Sequence, residues 1–193
     1  MRTNVLSTLL AAGLLLGGCG QDTKDAAKEA NEKKIEQQST AISNDAKDDA
    51  KNVANKLVDL FSMGMTEYEL SKIALPRATN PVVRAYAQRA MNEHQQNEKA
   101  LRDMARTMNL TLPSGMAEDG KDRVEDLQDK KPGTAFDTQY LKEMATVNDK
   151  AMDIADDLAD KAPNNALKAF ARKLKEGDKK HREQAKQLRN VLN

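Results

Sequence analysis

Apolar residues recur at alternating steps of three and four along four stretches of this chain, which is the spacing of one face of an α-helix. The stretches run from about 48 to 75, from about 81 to 109, from about 135 to 161, and from 163 to the C-terminus. Aromatic residues make up only 3% of the chain and Trp is absent, whereas strands draw on aromatic and β-branched side chains. The pattern therefore predicts an all-α protein.

The connections between these stretches predict how the helices are joined. A short turn near residues 76–81 joins the first stretch to the second, and another near 161–163 joins the third to the fourth. Pro81 and Pro163 suit the first position of the helices that follow them. A long connection, 111–134, separates the two pairs. This arrangement predicts an up-down-up-down four-helix bundle over residues 48–193, with both short turns at the same end.

The N-terminus has the layout of a bacterial lipoprotein signal. Met1 and Arg2 precede an apolar run, 5–16, that is shorter than the roughly 20 residues needed to cross a membrane. The run ends in Leu-Gly-Gly-Cys, which predicts a signal peptide over residues 1–18 and lipidation of Cys19, with palmitate among the acyl chains. An ordinary secretory signal with an incidental cysteine is the alternative. Gly20, where an aspartate would retain a lipoprotein in the inner membrane, predicts an outer membrane lipoprotein that faces the periplasm of a Gram-negative cell.

Residues 19–47 predict an acylated cysteine followed by a charged tether. From 20 to about 51 the chain is almost entirely Ala, Lys, Asp, Glu, Gln and Asn, and Ile35 and Ile42 are its only large aliphatic residues. Such a segment buries too little apolar area to offset its ordering entropy. A partly helical tether of this length would reach roughly 45–100 Å.

Polar side chains interrupt the apolar stripes of all four predicted helices. They are Glu67, His94, Asn97, Asn148, Asp178 and His181. With both short turns at one end, His94 lies about fifteen residues and His181 about eighteen residues from its turn, a difference of about one helical turn. We therefore expect the two histidines to meet at mid-bundle, with Glu67 and Asn148 at a similar height.

Several segments resemble a known family in the same order along the chain. They are residues 67–75 (EYELSKIAL), 80–87 (NPVVRAYA), 91–94 (MNEH), Leu112-Pro113, Phe136-Asp137 with Tyr140, Leu141 and Met144, and a late helix with His181. The chain resembles the ferritin-like bacterial envelope family called domain of unknown function 4142, from about residue 52 onward. The resemblance implies an exported ferritin-like four-helix bundle, often described as an outer membrane protein, with no established activity. It also implies a third histidine where this chain has Asn148.

Three interpretations of the polar cluster compete. A di-metal site would need a Glu from each of two helices and a Glu-x-x-His from each of the others. The chain offers Glu67 and Asp178-x-x-His181, but Met91 stands three residues before His94. A single zinc or copper ion could be held by the two histidines and a carboxylate. In the third interpretation, which we favour, His94, Asn97, Asn148 and His181 hydrogen-bond one another in a buried layer that fixes helix register at some cost in stability.

Function is less constrained than fold. The sequence has no glycine-rich phosphate loop, no Gly-x-Ser-x-Gly and no His-Glu-x-x-His, so we expect no enzyme and no cofactor. The net charge of +1, with both signs mixed along the chain, indicates no nucleic-acid partner. We expect a lipid-anchored protein that binds an envelope protein or a cell-wall partner, in envelope maintenance or stress response. The alternative is a periplasmic ferritin-like protein that binds zinc, copper or iron.

Overall fold

The computed structural model describes residues 22–38 and 42–192, and this part of the chain is helical with no strand. Six helices follow one another: α1 Thr23–Glu36, α2 Asn44–Arg77, α3 Pro81–Thr107, α4 Glu118–Gln128, α5 Thr134–Lys161 and α6 Asn165–Leu192. The all-α prediction is confirmed. The predicted signal peptide and Cys19 lie outside the described residues. None of the helices described is both long enough and apolar enough to span a membrane.

Helices α2, α3, α5 and α6 correspond to the four predicted stretches, and we call them the helical body. The start of α3 is fixed by Asn80, whose side-chain oxygen accepts a hydrogen bond from the backbone N–H of Val82 at 2.8 Å. Pro76 does not end α2, as the sequence suggested, but lies in its last turn. The helix continues through Pro76 to Arg77, and the Ala78 N–H donates to the Ala74 carbonyl at 2.8 Å.

The direction of the helices differs from the prediction. Thr79, in the α2–α3 turn, donates from its N–H and its hydroxyl to the carboxylate of Asp137 in the first turn of α5, at 3.0 and 2.9 Å. The start of α5 therefore lies beside the α2–α3 turn, and the α5–α6 turn lies at the opposite end. The order is up-down-down-up, so the predicted up-down-up-down order is wrong.

The long connection explains this reversal. It contains α4, which packs against α2 and α5. At the end of α4, the Arg77 guanidinium donates to the carbonyl of Gln128 at 2.9 Å. Residues 108–133 thus run from the end of α3 back to the end of α2, a span that a short turn could not cover. Short turns join antiparallel neighbours, whereas a connection of this length allows a crossover.

The apolar core is divided into two clusters, one at each end of the helical body. The cluster near the α2–α3 turn includes Leu70, Ala74, Val83, Tyr86, Leu127, Phe136, Tyr140, Met144 and Ala185. The cluster near the α5–α6 turn includes Val53, Leu57, Phe61, Leu101, Leu158, Leu167, Phe170 and Leu174. The predicted polar residues lie between these clusters, at mid-length.

The segment predicted to be a free tether is for the most part a docked helix. α1 packs against α2 and buries Ala27, Asn31 and Ile35, which are spaced four residues apart on one face. The Asn31 side chain donates to the Thr111 carbonyl at 2.9 Å and accepts from the Thr111 N–H at 2.7 Å. The docking of α1 therefore depends on a narrow face of three buried residues and on hydrogen bonds to the backbone. A count of large aliphatic residues detects neither feature.

Helix α4 also approaches the body closely. The Ser62 hydroxyl of α2 accepts a hydrogen bond from the Ala117 N–H at 3.0 Å, just before α4 begins. One turn into α4, a Cβ placed on Gly120 would lie 2.2 Å from the Thr66 hydroxyl. A side chain at this position would displace the Thr66 hydroxyl, which donates to the Ser62 carbonyl at 3.1 Å, so the close approach of α4 to α2 favours glycine here.

The docking of α1 can be tested through its buried asparagine. Asn31→Ala should lower the free energy of unfolding by about 1–3 kcal/mol, because the backbone N–H and carbonyl of Thr111 would lose their partner. Glu32→Ala, at an exposed position next to it, should change stability little. Urea unfolding followed by circular dichroism measures both. Deleting residues 20–38 should also lower the melting temperature, and an unchanged value would show that this segment is a free tether after all.

Candidate functional site

A layer of buried polar side chains crosses the helical body at mid-length, and we call it the polar layer. It receives side chains from all four helices, and each residue is at most 5% exposed: Glu67, His94, Asn148, Asp178 and His181. These are the five buried positions that the sequence analysis selected. Asn97 lies at the border of the layer and is half-buried. The two histidines meet although the predicted placement of the turns was wrong. Each lies near the middle of its helix, so reversing the direction of the helix changes its height in the body very little.

Glu67 and His94 form the centre of the polar layer. The Nδ1 atom of His94 lies 3.1 Å from Oε2 of Glu67, and both side chains are buried. Burial lowers the pKa of His94 to about 3, with a smaller contribution from His181. Burial also raises the pKa of Glu67 well above its usual value, and the carboxylate of Asp178 adds to this rise. The distance alone would suit an ion pair, but both shifts favour uncharged forms, so we describe the contact as a neutral hydrogen bond.

His181 connects the polar layer to the surface. Its Nε2 atom lies 2.9 Å from Oε2 of Glu93, whose side chain is 52% exposed. Its ring lies 5.4 Å from that of His94 and 5.8 Å, edge-on, from that of Tyr86. The Tyr86 hydroxyl donates to the His181 backbone carbonyl at 3.1 Å. One histidine is therefore paired with a buried carboxyl group and the other with a carboxylate at the protein surface. The predicted hydrogen bonds of these histidines with each other and with the asparagines are replaced by these glutamate pairs.

Asn148 is buried in the layer but does not bridge two helices through its amide nitrogen. That nitrogen donates to the Met144 carbonyl one turn earlier on α5, at 2.7 Å. Ser71 of α2 contacts Met144, with 3.8 Å between oxygen and sulfur, and α2 and α5 run antiparallel. Glu67 lies one turn before Ser71 on α2, and Asn148 lies one turn after Met144 on α5. Because the two helices are antiparallel, Glu67 and Asn148 therefore lie at the same height. The predicted convergence of these two positions agrees with this register.

Sequence reasoning missed three partners of the polar layer. Glu93 was overlooked because its position on α3 belongs to the exposed face. Tyr86 and Tyr140 resembled ordinary core aromatics, yet their rings pack 5.9 Å apart and the Tyr140 hydroxyl lies 3.0 Å from that of Ser71. Tyr86 lies eight residues before His94 on α3, a spacing that places both side chains on one face of the helix. This spacing could have identified Tyr86 as a neighbour of the polar layer.

Several polar atoms in the layer have no hydrogen-bond partner within the protein. They are Oε1 of Glu67, Nε2 of His94, Oδ1 of Asn148 and Nδ1 of His181. A cavity of about 20 Å³ lies beside Glu67 and His94 but is not lined by Asn148 or His181. Its other polar lining residues are Asn97, Glu98 and Asp178. A volume of this order accommodates one water molecule or one ion. Within residues 22–38 and 42–192, no group of three His, Cys, Asp or Glu side chains is placed to hold a metal ion.

The polar layer should make stability depend on pH through two opposed contributions. Burial, together with the charge of Glu93, raises the pKa of Asp178 to about 7, so its contribution to stability is lost as pH rises from 3.8 toward 7. Burial also raises the pKa of Glu67, which therefore acts in the same direction. His94, with its pKa lowered to about 3 from 6.5, makes the folded state less stable as pH falls from 6.5 toward 3. In the wild-type chain the two slopes oppose each other.

Each slope should become visible when the opposing groups are removed. The Glu67→Gln, Asp178→Asn double variant should leave a stability that rises with pH between about 4 and 6.5, and His94→Gln should leave one that falls. The measurement is the free energy of urea unfolding at several pH values, with Asp126→Asn at an exposed position of α4 as the control. If the pH profiles of both variants run parallel to the wild-type profile, Glu67, Asp178 and His94 do not titrate as described.

Comparisons with known proteins place the chain in a family. The model of the family described as "Domain of unknown function (DUF4142)" matches residues 36–188. The fold is similar to the crystal structure of a DUF305 fragment from Deinococcus radiodurans, with a TM-score of 0.65 and 11% sequence identity. That match covers 72% of this chain and 96% of the fragment, and at this identity it shows the fold alone. Among curated proteins, no match is found. The family match begins at the last residue of α1 and includes every residue of the polar layer, and the chain therefore belongs to the DUF4142 family.

Proposed function

We propose that the chain is a lipid-anchored protein of the cell envelope whose helical body acts by binding and not by catalysis, in envelope maintenance or stress response. Cleavage after residue 18 and acylation of Cys19 would attach it to the outer membrane of a Gram-negative cell, facing the periplasm. Its partner would be an envelope protein or a cell-wall polymer. We further propose that the helical body is a four-helix bundle of ferritin-like ancestry, with α4 in its long crossover.

The observation that carries the binding role is the internal pairing of the polar layer. The side chains of His94 and His181 are 3% and 6% exposed, and each is paired with a glutamate of the protein. Side chains held in this way fix the register of α2, α3 and α6 against one another. They are poorly placed to meet a substrate, which supports a structural role for the cluster and leaves binding to the outer surface.

A second candidate function is metal binding, and the unpartnered atoms favour it. Glu67, His94 and His181 each have one buried nitrogen or oxygen without a partner. Imidazole nitrogens suit zinc, copper and iron, and a carboxylate oxygen can complete such a set. The cavity beside Glu67 and His94 is of the size of a single ion. Side chains would have to shift to bring three ligands together, so this function ranks below the first.

The anchor can be tested by removing its acylation site. Cys19→Ser should yield a protein that no longer partitions into the detergent phase with lipoproteins, because it lacks the only thiol that could carry the lipid. A variant that still fractionates with membranes after a carbonate wash would contradict the anchor. Density-gradient fractionation of the wild-type chain then compares outer with inner membrane.

The two candidate functions are separated by thermal unfolding with added metal. If the polar layer is only structural, Zn²⁺ or Cu²⁺ should stabilise the wild-type chain no more than the His94→Gln, His181→Gln double variant. A site would instead stabilise the wild type alone, by about 2.7 kcal/mol at a hundredfold excess over Kd. Asn148→His is the converse experiment, since it adds an imidazole at the height of Glu67. Metal-dependent stabilisation that appears only in this variant would show that the positions converge but that the natural chain lacks a ligand.

A further inference from the structure

We infer that the anchored protein lies on its side, with α1 and α4 toward the lipid headgroups and the long axis of the helical body along the membrane surface. This inference rests on the proposed acylation of Cys19. It follows from where the structure fixes residue 22, three residues after that cysteine, and from the length of the helical body.

The start of α1 is held at mid-length of the body. The Asp22 carboxylate accepts hydrogen bonds from the backbone N–H groups of Lys24 and Glu118, both at 2.8 Å. The Thr23 hydroxyl donates to the Gly115 carbonyl at 3.0 Å. The same loop is bound to α2 through the hydrogen bond between Ala117 and Ser62. Residue 22 therefore lies close to the height of Ser62 and is held there from two sides.

The remaining linker is too short for the body to stand upright. Three peptide links separate Cys19 from Asp22 and span at most about 10–11 Å. Helix α2 has 34 residues, from Asn44 to Arg77. At about 1.5 Å per residue, Ser62 lies roughly 22–27 Å from either end of this helix. With one end on the membrane, Asp22 would be about 20 Å or more above the surface, beyond the reach of an acylated Cys19.

The packing of the helices decides which side faces the lipid. α1 packs against α2, and α4 packs against both α2 and α5. α3 and α6 contact each other on the opposite side of the body. Near the anchor, Lys24 and Lys121 accompany Asp22 and Glu118, so both signs of charge are present. The short linker, and not attraction to anionic lipids, therefore determines the orientation.

Fluorescence quenching by headgroup-nitroxide lipids tests this orientation. The full acylated chain is placed in phosphatidylethanolamine–phosphatidylglycerol vesicles, with one introduced cysteine per variant for labelling, because the thiol of Cys19 is occupied by lipid. The exposed labelling positions are Asp122→Cys on α4, Gln95→Cys on α3, and Lys131→Cys and Asn165→Cys at the two ends of the body. We expect quenching at position 122 to exceed that at position 95 by about twofold or more, because two helix layers of about 10 Å separate the faces.

A longer linker provides the matched control. Ten Gly and Ser residues inserted between Gln21 and Asp22 add a root-mean-square reach of about 18 Å and should reduce the difference between the positions. Strongest quenching at position 131 or 165, or equal quenching at positions 122 and 95, would overturn the inference. Mass spectrometry of the same samples reports acylation separately, so an unacylated chain would contradict the proposed anchor, whereas an acylated chain with the wrong quenching order would contradict the orientation alone.

Discussion

The burial of polar groups at mid-length of the helical body is the constraint on which the rest of the structure depends. A carboxyl group or an imidazole taken out of water is costly unless it finds a partner, and in this protein the partners come from different helices. Glu67 of α2 meets His94 of α3, and His181 of α6 meets Glu93 of α3. A shift of any of these helices by one turn would leave buried groups unpaired. Apolar side chains tolerate a shift of one helix along another better than paired polar groups do. The polar layer therefore defines the register of the helices more sharply than the two apolar clusters would alone.

The sequence predicted the helices well but not the way they are connected. Periodicity shows which face of a helix is buried, and it identified α2, α3, α5 and α6. It does not show the direction in which a helix follows a long connection. Here residues 108–133, which include α4, return to the end of the body where α2 ends, so that α5 begins beside Thr79. The docking of α1 was missed for a different reason. Its buried face consists of Ala27, Asn31 and Ile35, and its strongest contacts are hydrogen bonds to the backbone of Thr111, which no apolar pattern encodes.

The polar layer was predictable because it violates a local rule. Polar residues at core positions of a helix stand out against the apolar stripe, and Glu67, His94, Asn148, Asp178 and His181 were found in this way. Glu93 obeys the rule, since it belongs to an exposed face, and it enters the layer only because the buried ring of His181 reaches outward to it. Residues that are buried against expectation can be found from sequence alone, whereas exposed residues that complete a buried network need coordinates.

Helix α1 lies outside most of the family match, which separates the proposed anchoring segment from the domain that the family shares. The match to the DUF4142 family begins at residue 36, so the polar layer belongs to the shared domain and α1 lies almost wholly outside the match. If the proposed anchor is correct, the docking of α1 holds the anchored end of the chain at mid-length of α2. The side of the body that carries α1 and α4 would then face the membrane, and the α3–α6 face would be directed toward the aqueous compartment. A partner in solution or in the cell wall would then meet α3 and α6, and surface variants that test binding should begin on those two helices.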